Sequence, residues 1–188
     1  MLEKLPHAVG AALSGVKAGL DRTAWHAEFA TVPGGLALTS PAFADGAAIP
    51  ARFTADGPGL SPPLAWSGVP AGTAALALLV EDADSPTPKP VVHAIAWHLD
   101  PGRDGLDEGE LAPDAPDAPD LGRNTYLRAG WLPPDPPTGH GPHRYLFQLY
   151  ALKAPLDLDG TPGRTAFLDG VRAGAIARGL LTGTYERP

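Results

Sequence analysis

The sequence predicts a single, mainly β domain with an amphipathic helix near each end. Its 23 prolines and 23 glycines separate short apolar segments, a distribution that is typical of turns between strands. The three longest apolar segments, residues 75–80, 91–99 and 143–152, have the length and apolar character of strands. A chain of 188 residues is also long enough to form one core. We therefore expect a β-rich domain over residues 34–188, preceded by a helix and linker over residues 1–33.

The N-terminal segment carries a repeated apolar pattern that predicts a helix. Its apolar residues are three or four positions apart, as on one face of an α-helix: Leu2, Leu5, Val9, Leu13, Val16 and Leu20. Three glycines weaken this helix, so we expect it to pack on the core or on a second subunit. A homodimer is therefore a hypothesis. A membrane-surface helix is disfavoured because the polar face has few basic residues.

From residue 34 onward, short strands are predicted between turns. Brief extended segments are expected at 36–40, 52–54 and 64–66, followed by the three longer strands, of which 75–80 is buried on both faces. Residues 112–120 repeat Ala-Pro-Asp and predict an exposed, extended loop. The apolar residues of the C-terminal region suit a closing helix: Phe167, Leu168, Val171, Ala175, Leu180 and Leu181. Gly183 would cap that helix, and Thr184 and Tyr185 would form a final short strand.

The charge distribution excludes several classes of function. The net charge of −7 comes from residues 100–120, which contain eight acidic side chains and one arginine. No basic face suited to nucleic acid is present, and the absence of cysteine excludes disulfides, a thiol nucleophile and thiolate metal sites. We find no signal peptide and no membrane-spanning segment, so we expect a cytoplasmic protein. The acidic loop could contact a protein target, but a solvated loop is favoured.

A cluster of carboxylates follows the strand at 75–80. Glu81, Asp82 and Asp84 could bind a metal, act as acid and base, or solvate a turn. In the next strand, alternation places His93 on one face with Ile95 and Trp97. A carboxylate of the turn could fix the tautomer of this imidazole. A core histidine satisfied by that carboxylate is an equally good interpretation.

A second cluster lies at residues 136–145, where the third long strand begins. Alternation places His143, Tyr145 and Phe147 on one face, so that an imidazole and a phenol could direct two donors at one point. Gly139 and Gly141 would let the backbone approach a ligand or turn tightly. This pattern suits a phosphate or carboxylate oxygen. The alternative is a tight hairpin with a solvated Arg144.

These two clusters resemble the signature segments of the phosphatidylethanolamine-binding protein (PEBP) family, which includes the Raf-kinase-inhibitor proteins. Residues 82–86, Asp-Ala-Asp-Ser-Pro, followed by His93, resemble the first signature segment; residues 137–145, Pro-Thr-Gly-His-Gly-Pro-His-Arg-Tyr, resemble the second. Further segments resemble the bacterial branch of the family: 52–57, 61–66, 123–126 and 183–185. The resemblance covers most of residues 36–185.

The resemblance implies a central antiparallel β-sheet packed with a smaller sheet, peripheral helices, and a pocket for phosphate, phosphorylated head groups or small carboxylates. Carried over by position, the pocket residues would be Asp82, Asp84, Pro86, His93, Pro137, His143 and Tyr145. Asp135 precedes the paired prolines, and its charge would oppose anion binding if it lined the pocket.

The leading hypothesis is a non-enzymatic protein that binds a small anion, most plausibly a phosphate ester, without a metal or cofactor. His93 and His143 would donate hydrogen bonds, Tyr145 would add a hydroxyl, and Asp82 would orient a histidine. One alternative is an isomerase or hydrolase that uses the same groups in acid–base or metal-assisted chemistry. Another is a regulator that inhibits a kinase or a protease through protein contacts.

Overall fold

The computed structural model of the protein, which describes residues 6–187, contains two antiparallel sheets. The eight strands are β1 (Ala37–Thr39), β2 (Leu64–Ser67), β3 (Ala75–Asp82), β4 (Val91–Leu99), β5 (Gly105–Leu106), β6 (Asp120–Leu121), β7 (His143–Leu152) and β8 (Ala175–Tyr185). The larger sheet has the order β6-β4-β3-β7-β8, and the smaller sheet has the order β1-β2-β5. The predicted fold class, a mainly β protein with a central and a smaller sheet, is confirmed.

The larger sheet is covered on both faces, which explains why β3 is apolar along nearly its whole length. One face packs on the smaller sheet through a core that includes Trp66, Leu78 and Phe147. The opposite face packs on helix α3 (Arg164–Gly174), with Phe167 and Tyr150 in a second core. The predicted bounds of the strands at 91–99 and 143–152 are those of β4 and β7.

The N-terminal segment is only partly helical. Helix α1 spans His7–Leu13, a 3₁₀ turn follows at Leu20–Arg22, and a short helix α2 spans Ala24–Ala27. Within the predicted stripe, Val9 and Val16 are 40% and 48% exposed, and it is Gly10 that α1 buries. The prediction of one continuous helix packed through its apolar stripe is therefore wrong for the described residues. Leu2 and Leu5 lie outside them, and the homodimer stays a prediction.

The C-terminal prediction was also wrong in part. The closing helix was predicted to include Leu180 and Leu181, but both lie in β8. Gly183 was predicted to cap that helix, but it lies within β8 and pairs with β7. Buried and less buried residues alternate along β8 from Ala177 to Gly183, which is the period of a strand.

Two smaller segments differ from the expected extended conformation. Residues 52–54 were predicted as a strand, but Ala51–Phe53 forms a 3₁₀ turn that buries Phe53 between the sheets. The loop at 112–120 is exposed, as predicted, but it folds into successive turns closed by backbone hydrogen bonds from Ala115 to Ala112 and from Ala118 to Ala115.

An irregularity in β4 changes the direction of His93. In the pairing with β3, Ala94 is opposite Val80 and Val92 is opposite Glu81, so His93 is the extra residue of a β-bulge. Its ring consequently faces Tyr145 and the core between the sheets, whereas Ile95 and Trp97 face α3. The prediction that His93 shares a face with Ile95 and Trp97 is wrong, because strict alternation does not hold across a bulge.

Candidate functional site

A small cavity lies where the carboxyl end of β3 meets the start of β7. Its volume is about 40 Å³. It is lined by Asp82, Ser85, Pro86 and Thr87 after β3, by Val91 and His93 of β4, by Leu132, Pro133, Asp135 and Pro136 before β7, and by Tyr126 and His143. The two signature segments, 82–86 and 137–145, therefore meet at one site, because β3 and β7 are neighbours in register with Asp82 opposite Tyr145.

A chain of hydrogen bonds passes through this site. His143 Nδ1 lies 2.8 Å from Asp82 Oδ2, and His143 Nε2 lies 2.8 Å from His140 Nδ1. His140 Nε2 lies 3.1 Å from the carbonyl oxygen of Val16. Since a carbonyl only accepts, His140 donates through Nε2 and accepts from His143 through Nδ1. Both nitrogens of His143 are thus engaged within the protein, which leaves none to donate to a ligand.

Two buried polar atoms at the site have no hydrogen-bond partner. Among the described residues, the buried side-chain atoms in this condition are His93 Nε2, Tyr145 Oη and Trp97 Nε1. His93 lines the cavity, the Tyr145 ring lies against the His93 ring, and Trp97 belongs to the core that faces α3. His93 donates through Nδ1 to the carbonyl oxygen of Leu132 at 2.6 Å, so Nε2 of the neutral ring carries a lone pair. Buried polar groups are rarely left unpaired, so these atoms lack a partner that the described residues do not supply.

The electrostatics keep the unpartnered groups uncharged. Burial lowers the pKa of His93, although the nearby carboxylate of Asp82 acts in the opposite direction. Burial raises the pKa of the Tyr145 hydroxyl well above its usual range, with Asp82 and Asp135 adding to the shift. At neutral pH the site therefore offers a neutral imidazole acceptor and a phenolic donor, whose rings meet edge to face with centroids 5.0 Å apart.

Asp135 lines the cavity, and its charge is compensated. Arg187 forms an ion pair with Asp135 and also donates to Asp56 Oδ1 at 2.8 Å. Burial alone would raise the pKa of Asp135, but hydrogen bonding and the charge of Arg187 lower it. The carboxylate that would oppose an anion thus has a cation beside it.

The carboxylates of the first cluster are directed to three different places. Asp82 lines the cavity, whereas Glu81 is fully buried on the other face of the sheet, where Arg164 donates to it at 2.7 Å. Asp84 is also fully buried and accepts from the backbone and guanidinium of Arg144, with Lys17 at 3.1 Å. Arg144 is therefore paired, not solvated alone, and Asp84 fixes the turn from outside the cavity.

The seven pocket residues implied by the resemblance take different positions. Four line the cavity: Asp82, Pro86, His93 and His143. Tyr145 lies behind His93, Pro137 is buried next to the lining Pro136, and Asp84 lies apart from the cavity. His140 is not in this set, yet it is 2% exposed and accepts a hydrogen bond from His143, which lines the cavity. The sequence signal for this contact is the spacing of three residues between His140 and His143 across a glycine turn.

The N-terminal segment packs against both signature segments. The amides of Ala18 and Gly19 donate to the carbonyls of Ser85 and Ala83 at 2.9 and 2.8 Å. A Cβ built on Gly10 would overlap the carbonyl oxygen of Thr138, so only glycine allows α1 to lie this close. Residues 10–19 thus support the site from outside.

A shallower groove adjoins the cavity. Its volume is about 530 Å³, and it shares Thr87 and Val91 with the cavity. Lys89 and Arg123 lie along it, and neither has an acidic partner within ion-pair distance among residues 6–187. The smaller cavity, unlike the groove, is lined by His93, whose Nε2 is one of the unpartnered buried atoms, so the smaller cavity is the candidate site.

Two absences concern the described part of the chain. No three potential ligand side chains are grouped as a metal site requires. None of its helices has the length and apolar character needed to cross a bilayer.

Known proteins resemble this chain over most of its length. The family model for phosphatidylethanolamine-binding proteins matches residues 39–186. A protein named UPF0098 from Methanothermobacter thermautotrophicus is 38% identical over 153 residues, which are 80% of this chain and 98% of that protein. LppC of Mycobacterium tuberculosis, named as a candidate lipoprotein, is 38% identical over 153 residues, covering 80% of this chain and 72% of LppC.

A solved structure gives the same result. CT736 of Chlamydia trachomatis, described as a candidate PEBP homologue, superposes with a TM-score of 0.75 at 35% identity, over 82% of this chain and 99% of that one. The family-model match over residues 39–186 includes both signature segments and every strand of the larger sheet. The chain belongs to the phosphatidylethanolamine-binding protein family.

Proposed function

We propose that this protein binds a small oxyanion, specifically a phosphate monoester, in the cavity between its two signature segments. The observation that carries the proposal is the pair of buried, unpartnered atoms, Tyr145 Oη and His93 Nε2. A hydroxyl donor and an imidazole acceptor match an oxyanion that has one charged oxygen and one protonated oxygen. Hydrogen bonds from a ligand to both atoms would recover the desolvation cost that each atom carries without a partner, about 1–3 kcal/mol per group.

The small volume of the cavity favours a ligand whose charged end is small. A volume of about 40 Å³ accommodates a few non-hydrogen atoms, so a phosphoryl group would enter and its ester substituent would remain outside. The adjoining groove offers that substituent an apolar surface, and Lys89 and Arg123 favour anionic ligands there.

Calorimetric titration with methyl phosphate tests the proposal. We expect saturable binding with one site per chain, and the variant Tyr145→Phe should bind more weakly without losing stability, because the hydroxyl it removes has no partner. Tyr150→Phe is the matched control: its hydroxyl donates to Gln148 Oε1 at 2.8 Å in the other core. This control should lose about 1 kcal/mol of stability and keep its affinity. Equal affinity of wild type and Tyr145→Phe would contradict the proposal.

A second candidate is an enzyme that uses the chain from Asp82 through His143 to His140 as an acid–base system. A carboxylate that orients an imidazole is the arrangement of an activated general base. It ranks second because both nitrogens of His143 are occupied, so neither reaches a substrate in this arrangement. Turnover of a phosphate ester that is lost in His143→Gln, but retained in the exposed-site variant His26→Gln, would favour it.

A cytoplasmic location remains part of the proposal. It is supported by a sequence without cysteine, which suits a reducing compartment. The relative LppC is named as a candidate lipoprotein, so location differs in principle among relatives. Cell fractionation of the native protein tests this point, and recovery with the membranes would contradict it.

A further inference from the structure

We propose that the site takes up one proton with each oxyanion, so that the bound species is a singly protonated phosphate monoester or its equivalent with a protonated His93. This inference rests on the proposed function and specifies the ligand form that the site selects.

His93 presents an acceptor to the site. Its Nδ1–H donates to a carbonyl that only accepts, so Nε2 carries a lone pair. An unprotonated phosphate oxygen would meet this lone pair with repulsion. A hydrogen bond forms only when a proton lies between the two atoms, whether the ligand or the ring brings it.

Several titratable groups surround the His93 ring. The groups that face His93 are Asp82 and His143 at the ends of β3 and β7, Tyr145 of β7, and Asp135 of the preceding loop. Arg187 lies next to Asp135 and compensates it. Both carboxylates of the cavity therefore have partners within the protein, and no lysine or arginine is among its described lining residues.

The hydrogen bonds from Asp82 to Val16 require three protons. Hydrogen bonds join Asp82 to His143, His143 to His140, and His140 to the carbonyl of Val16, and each needs one proton. Two neutral imidazoles supply only two. The third proton lies between Asp82 and His143, so Asp82 and the two imidazoles together carry no net charge. A doubly charged phosphate would find no net positive charge in this chain.

A dianion would therefore meet no lysine or arginine among the described lining residues, and burial disfavours a charged His93 by lowering its pKa. A monoanion with one P–OH group would give both unpartnered atoms a hydrogen bond: Tyr145 Oη donates to a charged oxygen, and the P–OH donates to His93 Nε2. Because the second pKa of a phosphate monoester is about 6, the dianion that prevails above this pH must gain a proton to bind. Linkage then requires the dissociation constant to rise about tenfold per pH unit above pH ~6.

The experiment is a calorimetric titration of the full chain with methyl phosphate in two buffers of different ionisation enthalpy. The difference in measured heat gives the number of protons taken up. We expect about one proton per ligand at pH ~8 and about none at pH ~5.5, where the ester already carries its proton. Binding at the higher pH without proton uptake would overturn this inference and leave the proposed function intact. Absence of binding at both pH values would overturn the proposed function itself.

Two controls isolate the role of His93. Methyl sulfate has the same shape but carries no proton in this range, so it must protonate the ring and should bind at least tenfold more weakly than methyl phosphate at pH ~5.5. The variant His93→Gln places an amide donor near the position of Nε2, and its proton uptake at pH ~8 should fall to near zero. Equal affinity for both esters at pH ~5.5 would contradict the inference, and the wild-type titrations decide it even if the variant does not fold.

Discussion

His143 and His140 share a hydrogen bond of 2.8 Å between Nε2 and Nδ1, in which His143 donates to His140. The direction is set at the far end of the chain, where His140 can only donate to the carbonyl of Val16. The N-terminal segment thereby acts on the protonation of a residue that lines the cavity.

We expect nitrogen-15 NMR of the histidine side chains to show this arrangement. His140 should be the tautomer protonated at Nε2 and His93 the tautomer protonated at Nδ1, because each donates to a carbonyl. The exposed ring of His7 should show a mixture and serves as the reference. Finding His140 protonated at Nδ1 alone would mean that the chain of hydrogen bonds runs differently from the one described.

The close approach of α1 predicts opposite effects for two glycines. Gly10→Ala should cost about 1–3 kcal/mol of unfolding free energy, because its Cβ would overlap the backbone of Thr138. A free helix would gain from the same change, so the sign shows whether α1 is docked. Gly15→Ala is the matched control, since nothing lies within 4 Å of its Cβ, and its effect should stay within about 0.5 kcal/mol. Urea denaturation measures both.

Asp84 predicts a component of the acid sensitivity. Burial alone would raise its pKa, but hydrogen bonds from Arg144 and Lys17 lower it from 3.8 to about 2. A carboxyl whose pKa is depressed on folding stabilises the protein above its unfolded value and loses this contribution as pH falls through the folded one. We therefore expect about 2 kcal/mol to be lost between pH ~4 and ~2.

The variant Asp84→Asn should abolish this component and destabilise the protein at neutral pH, because it leaves Arg144 without its carboxylate. Asp114→Asn, in the exposed loop, should retain the wild-type pH dependence. Urea denaturation at a series of pH values compares the three proteins. An unchanged slope below pH ~4 in Asp84→Asn would refute the assignment.

Arg164 predicts a large effect on the face of the sheet opposite the cavity. It donates to Glu81, which is fully buried, so Arg164→Ala leaves a buried carboxylate without its cation and should cost about 3–5 kcal/mol. Arg172→Ala is the control, since its pairs with Glu28 and Asp169 are exposed and should leave stability nearly unchanged. Thermal unfolding should separate the two variants by many degrees, and similar melting temperatures would contradict the buried pair.

Much of the fold was readable from the sequence because β4 and β7 are long apolar runs whose flanking turns are marked by proline and glycine. Strand β8 was missed because its buried positions include Gly179 and Gly183, which resemble turn or cap residues. The structure gives their reason: a Cβ on Gly179 would crowd Leu36, and one on Gly183 would crowd Ile49. Contacts with residues distant in sequence, not local preference, select glycine there.

The site was predictable only to the level of residue types. The resemblance identified the two segments, but the direction of His93 depends on a bulge that appears only in the pairing with β3. The occupation of both nitrogens of His143 depends on His140 and on a carbonyl 124 residues away from it in sequence. Neither relationship leaves a periodic signal, because each arises from packing between segments remote along the chain.

The register that places Asp82 opposite Tyr145 also has a consequence for how the molecule folds. Strands β3 and β4 are joined locally, whereas Asp82 and His143 are 61 residues apart, so their contact closes a long loop at an entropic cost that slows its formation. An intermediate that has formed only the β3–β4 hairpin already holds Asp82 and His93 on one ribbon. It lacks the hydrogen-bond chain through His143, so the candidate site is complete only when β7 is added to the sheet.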